Sequence, residues 1–186
     1  MTVRPNKAGS RPPKKRGPAD GCPNGSAEIG SKSENFEIYT MNRICVIDGQ
    51  GGGIGSTIIK KIKAHYEESV EIIALGTNAI ATAQMLKARA NRGASGENAI
   101  VQTVKEVDLI IGPIGIIMAN SMMGEVTRKM AAAVAASPAR KLLIPLSQEN
   151  IEIIGTVSIP LPKLVEELIE KHLTRWVNRT EGTNHV

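Results

Sequence analysis

The stretch richest in chemistry in this 186-residue chain is Cys45-Val-Ile-Asp-Gly-Gln-Gly-Gly-Gly-Ile-Gly55. It follows an apolar, β-branched run and opens a helix-patterned one. A loop so placed can hold phosphate with its backbone. Glycines permit a tight turn and close approach, and the helix start offers N–H donors at the positive end of its dipole. Register narrows the choice. The dinucleotide pattern GxGxxG fails, because counting from Gly49 ends on Ile54 and counting from Gly51 ends on Ser56. A Walker loop fails as well, since no lysine precedes Ser56 and Thr57. The pattern that fits is Gly49-x-x-x-Gly53-x-Gly55.

That spacing resembles the glycine loop of short-chain dehydrogenase/reductases, a Rossmann subclass that binds NAD or NADP. The resemblance spans the first strand–helix unit alone. It implies phosphates lying on Gly49, Gly51, Gly52, Gly53, Ile54 and Gly55. The Tyr-x-x-x-Lys pair of that family is absent: Arg43 follows Tyr39 at that spacing, and Val70 follows Tyr66. Its proton relay is therefore not carried over, and no catalytic residue is assigned. The acid expected about 20 residues beyond the glycines, which holds the ribose, is absent too. Thr77 and Asn78 stand there instead. They can hydrogen-bond a ribose or 2′-phosphate, or cap the next helix. Asp48 can accept from a ribose hydroxyl, bind Mg²⁺ through waters, or accept from loop N–H groups as an Asx turn. The third is the simplest. An enzyme using such a cofactor needs a proton donor or acceptor, and Asp48, Glu97 and Glu149 are the loop carboxylates on offer. These ligand readings share one condition: the amides between Asp48 and Ser56 must stand open. Engaged within the protein, they make only a turn.

Around the loop, apolar β-type runs alternate with helical ones. The runs are Arg43–Asp48, Val70–Leu75, Asp108–Gly112, Lys141–Leu146 and Ile151–Gly155. Near-continuous Ile, Val and Leu means burial on two faces, as in a parallel sheet covered by helices. The predicted fold is therefore α/β, a doubly wound, mostly parallel five-stranded Rossmann-like sheet. Strand order 3-2-1-4-5, in the sequence order of those runs, follows by analogy with other doubly wound sheets. Helices are expected over the segment carrying Ile54, Ile58, Ile59, Ile62 and Tyr66, over Ala79–Ala90, over Ile116–Ala136, and after Pro162. In the third, Met118, Met122, Val126 and Met130 recur every four residues, and Ser137-Pro138 ends the helix. Residues 97–107 read as a helix with Ser95 as its cap. Lys87, Arg89 and Arg92 either reach a phosphate or complement a helix C-terminus. The methionines read as core or subunit packing, and Cys45 and His172 as packing rather than chemistry.

Composition excludes several functions. Four aromatic residues are too few for a stacking platform on single-stranded nucleic acid. Two cysteines and three dispersed histidines make neither a disulfide framework nor a metal cluster. No apolar run reaches the roughly 18 residues of a membrane span. The net charge of +5 is uneven: residues 1–40 hold seven bases against four acids, and the remainder sixteen against fourteen. Residues 1–40 also hold five of the ten prolines, and are expected to be a disordered basic tail. Residues 1–19 are the only segment basic enough for nucleic acid. Met41 opens the first well-patterned segment, so an upstream misassigned start is an alternative account of the tail. Residues 41–186 form the expected nucleotide-binding domain.

Four separated motifs, Ile47-Asp-Gly-Gln-Gly-Gly-Gly-Ile-Gly55, Ile73-Ala-Leu-Gly-Thr-Asn-Ala-Ile-Ala-Thr82, Gly96-Glu-Asn-Ala-Ile100 and Ile111-Gly-Pro-Ile-Gly-Ile116, resemble a bacterial domain-of-unknown-function family, number 3842, over roughly residues 41–170. The resemblance implies a small cytoplasmic protein with a Rossmann-like fold, and implies no activity. The leading expectation is thus a small nucleotide-binding protein, with NAD or NADP the default ligand on Asp48, Gly49, Gly51, Gly52, Gly53, Ile54, Gly55, Thr77 and Asn78. The alternatives are an oxidoreductase using that cofactor, or a regulatory or interaction module, such as a homodimer joined at the Met-rich helix, whose glycine loop is structural.

Overall fold

Apolar residues at consecutive positions form strands here because both sheet faces are covered. The computed structural model describes residues 42–146 and 151–183, which belong to one of the chain's two compact units, Tyr39–Val186. The expected tail lies outside the described residues. Strand β1 (Arg43–Asp48) leads to helix α1 (Gly53–Tyr66), β2 (Glu71–Gly76), α2 (Ala79–Lys87), β3 (Arg92–Ser95), α3 (Glu97–Thr103), β4 (Leu109–Pro113) and a 3₁₀ turn, Ile114–Ile117. Then come α4 (Arg128–Ala136), β5 (Arg140–Ile144), α5 (Leu161–Glu167), a π-type turn over Leu168–Leu173, and α6 (Thr174–Thr183). The sheet is five-stranded in the order β3-β2-β1-β4-β5, with every pairing parallel.

Alternation along each central strand divides the interior into two cores. Ile44 and Val46 of β1, Ile72 and Ala74 of β2, and Leu109 and Ile111 of β4 face α1, α2 and the C-terminal helices. Cys45, Ile47, Ile73, Leu75 and Ile110 face α3, the 3₁₀ turn and α4. The doubly wound Rossmann-like class therefore holds.

Five expectations about the elements are corrected. Arg92–Ser95, expected as part of a polar loop, is an edge strand paired with β2. Asp108–Gly112, placed third and hence beside the second strand by analogy, pairs with β1 instead. Ile151–Gly155 forms no strand; a turn closes there, with the Thr156 N–H donating to the Ile153 carbonyl at 3.3 Å. The continuous helix expected over Ile116–Ala136 is interrupted: residues 118–127 are turns, and Asn120, Met122, Met123 and Gly124 all adopt positive φ. Helix α4 starts afresh, with the Thr127 hydroxyl accepting from the Met130 N–H at 3.1 Å. Residues 97–103 are helical as expected, but the cap is Gly96 at φ 91°, and Ser95 closes β3 instead. No helix among the described residues is long and apolar enough to cross a membrane.

Candidate functional site

All five strands are parallel, so their carboxyl ends share one edge of the sheet. The chain leaves β1 toward β2 on one side, while β4 lies on the other. The β1/β4 boundary is thus the switch point at which open α/β sheets receive ligands. The glycine loop lies there.

The loop is folded around Asp48. Its Oδ1 accepts from the Gly49 N–H at 2.8 Å and its Oδ2 from the Gly55 N–H at 2.7 Å. The Ile54 backbone adds a third bond. Burial raises the Asp48 carboxyl above its ordinary range, these amides pull it down, and the nearby Glu125 charge pushes it up again. The Asx reading of Asp48 is the arrangement found, and both carboxylate oxygens face loop amides. Gly52 at φ 68° closes the turn, donating to the Gly49 carbonyl at 2.9 Å. A Cβ on Gly52 would lie 2.7 Å from the Ala81 carbonyl oxygen, so α2 sits directly on the loop. Ile54 is half-buried against the first core. Gly51 and Gly53 are exposed, with nothing within 4 Å of a Cβ built on either.

A second carboxylate completes the site. Glu125, in the turns between β4 and α4, reaches over Gly49. Its Oε2 accepts from the Gln50 N–H at 2.8 Å, the Thr77 hydroxyl at 2.5 Å and the Asn78 side-chain amide at 2.8 Å. Burial alone would raise the Glu125 carboxyl, but the bonds from Thr77, Gln50 and Asn78 outweigh it and hold it below the ordinary value. Gly49 makes the approach possible. A Cβ there would sit 2.6 Å from Met122 Sδ and from Thr77 Oγ1, and 2.9 Å from Glu125 Oε2. Asn78 also caps α2, its Oδ1 accepting from the Ala81 N–H at 2.8 Å, and donates to the Gln50 carbonyl at 3.1 Å. Thr77 and Asn78 therefore lie against the glycine loop, and Asn78 performs the capping role that was the alternative to ligand binding.

The expectation of open amides is corrected. The N–H groups of Gly49, Gln50, Gly52, Ile54, Gly55 and Ser56 are engaged within the protein. The cradle does hold an anion, and the anion is the chain's own. Sequence reasoning missed Glu125 because it sat inside an assumed helix. Asn120 and Gly124, both tolerant of left-handed backbone, were the signals of a break.

The remaining candidates divide. Glu97 accepts from the Thr127 hydroxyl at 2.6 Å, which with Lys129 at 3.4 Å lowers its carboxyl. Glu149 lies outside the described residues. Arg89 and Arg92 pair with Glu68 and Glu71 at 3.6 and 2.7 Å, at the opposite edge of the sheet. Cys45 is fully buried, and burial pushes its thiol up. Among the described residues no group of three or more His, Cys, Asp or Glu side chains gathers to hold a metal.

Fold and loop together define a Rossmann-like α/β protein with a strand–glycine loop–helix unit at the switch point of its sheet. More narrowly, residues 43–177 match the family described as domain of unknown function DUF3842, and the chain belongs to it. No curated protein matches the chain. Among solved structures it is similar to one described as a crystal structure of universal stress protein in complex with cAMP, at 21% identity, covering 54% of this chain and 94% of that one, with a TM-score of 0.32.

Proposed function

We propose that the protein binds a phosphorylated small molecule of the nucleotide class in the switch-point crevice, and that the ligand enters by displacing Glu125. The observation that carries this reading is the convergence of three donors, from Gln50, Thr77 and Asn78, on a single Glu125 oxygen. Donors that converge on one carboxylate oxygen are equally suited to an oxygen of a phosphate in its place. The condition of open amides is met only at Gly51 and Gly53, which are exposed at the start of α1 and whose N–H groups are not among the six engaged ones. They offer a phosphate two further donors once Glu125 moves away. NAD or NADP is the finer form of the proposal, with phosphates over Gly51–Gly53 and ribose against Thr77 and Asn78. Asp48 then holds the loop's shape and does not touch the ligand.

A second reading is favoured by a different observation: six loop amides already have partners. In that reading the loop is a structural turn, Glu125 is a permanent strut, and the protein is an interaction or regulatory module.

Thermal unfolding of the full chain with NAD(H), NADP(H), ATP and AMP separates the two. Binding at 100 times Kd stabilises by about 2.7 kcal/mol. At least one ligand is expected to raise Tm, and to raise it further in Glu125→Ala, where the competing carboxylate is gone. No shift with any of them, in wild type and in Glu125→Ala alike, leaves the structural reading standing and removes the proposal.

A further inference from the structure

In the chain between β5 and α5, one nine-residue stretch leaves its apolar side chains in solvent. In Ile151-Glu-Ile-Ile-Gly-Thr-Val-Ser-Ile159 no residue is fully buried. Ile151, Ile154 and Val157 are 52%, 88% and 76% exposed, half of the large exposed hydrophobics among the described residues. The pattern is that of a hairpin. Ile151, Ile153, Val157 and Ile159 alternate with Glu152 and Ser158 about a turn in which Gly155 takes φ 88° and Thr156 Oγ1 donates to the Ile153 carbonyl at 2.7 Å. Three large apolar side chains left exposed within seven residues make this stretch a candidate interaction surface.

The same chain carries a matching receptor. Strand β5 pairs with β4 on one side only, which leaves its other edge open among the described residues. Leu142 and Leu143 are only half-buried on it. Beside it runs a groove of about 220 Å³ with a floor of Leu142, Ile144, Pro145, Leu164 and Leu168 and a polar rim of Lys141, Glu167 and His172. An open edge seeks another strand, and an apolar groove seeks an apolar side chain. Charge agrees. Arg140 stands on β5 and Glu152 on the arm, and the ion pairs of the described residues use neither, while Lys141 beside Arg140 donates its Nζ to the Ser137 carbonyl.

We propose that the protein forms a two-fold dimer in which the Ile151–Ile159 arm of each copy lies on the β5 edge and groove of the other. A second copy is the occupant because every copy holds both complementary halves. Reciprocal exchange satisfies two arms and two edges and closes the assembly with none left over, whereas a foreign partner would cover only one half. The interface differs from the Met-rich one expected earlier: of those methionines Met130 is buried in the second core, and only Met123 is strongly exposed, at 92%. It is also independent of ligand binding at the glycine loop.

The test is sedimentation equilibrium on the full chain. Wild type is expected at twice the chain mass, and Ile154→Lys/Val157→Lys at the chain mass with an unchanged far-ultraviolet circular dichroism spectrum. Glu152→Arg is expected to weaken the dimer by at least tenfold in Kd, and Arg140→Glu added to it to restore most of the loss. A wild type that stays monomeric at 100 µM overturns the proposal, as does a dimer that survives the double lysine substitution.

Discussion

Asp48 and Glu125 divide the glycine loop between them and respond to pH in opposite senses. Burial raises the Asp48 carboxyl, so any stability linked to it is full below the unfolded value and falls as pH rises through the folded one. The hydrogen bonds on Glu125 lower its carboxyl, so its contribution is present above the ordinary 4.5 and is lost as pH falls through the lower folded value. Acid should therefore release Glu125 from Gln50, Thr77 and Asn78. The protection factor of the Gln50 amide is expected to fall as pH drops through the lowered Glu125 value in wild type, and to show no such step in Glu125→Gln. A step retained in that variant would assign the release to another group. Asp48→Asn exchanges one acceptor oxygen for a donor, which leaves the Gly49 or Gly55 N–H facing another N–H. Urea unfolding should register a loss of about 1–3 kcal/mol, the cost of an unsatisfied buried donor. The role of Asp48 was readable from sequence, because a short carboxylate before a run of glycines has few other partners. Glu125 was not, since its three donors come from two other loops distant in the chain.

The glycine loop is better judged position by position than as a unit. Gly51 and Gly52 are neighbours with opposite demands. A methyl group on Gly51 meets nothing within 4 Å, whereas one on Gly52 meets the Ala81 backbone at 2.7 Å from a residue at φ 68°. Gly51→Ala is expected to stay within about 0.5 kcal/mol of wild type, and Gly52→Ala to lose about 2 kcal/mol or more, read as denaturation midpoints. Equal losses would mean the loop reshapes freely. The same local physics explains which elements the sequence disclosed. Strands β1, β2 and β4 are buried on both faces and advertise it in unbroken Ile, Val and Leu. Strand β3 is four residues, three of them exposed. At a sheet edge it needs only to offer backbone to β2, and no apolar pattern is required of it. Ile151–Gly155 has the opposite character, a strand-like composition without a neighbouring strand among the described residues. The Met-rich segment keeps helical spacing up to Val126, yet its backbone turns aside to cross the glycine loop. Periodicity carries no record of that tertiary demand.

Across the whole molecule, stability should be graded from the centre of the sheet outward. Strand β1 is paired on both sides and sealed on both faces, with Ile44, Cys45 and Val46 fully buried. Strand β3 is paired on one side, with exposed Arg92, Gly93 and Ser95. The arm at residues 151–159 joins no ladder among the described residues. Opening β1 requires parting both cores at once, whereas β3 and the arm can open without disturbing either. Native-state hydrogen exchange should accordingly rank β1 and β4 amides slowest, β2 next, and β3 with the arm fastest. The glycine loop falls between, because four of its amides are bonded to two carboxylates and two to loop carbonyls, and none to a ladder. Glu125→Ala should move Gln50 toward the fast group and leave β1 where it was. If β1 quickened in step with Gln50, the loop and the sheet would open as one unit. Displacement of Glu125 by a ligand would then have to work against the stability of the entire fold, not merely against three hydrogen bonds.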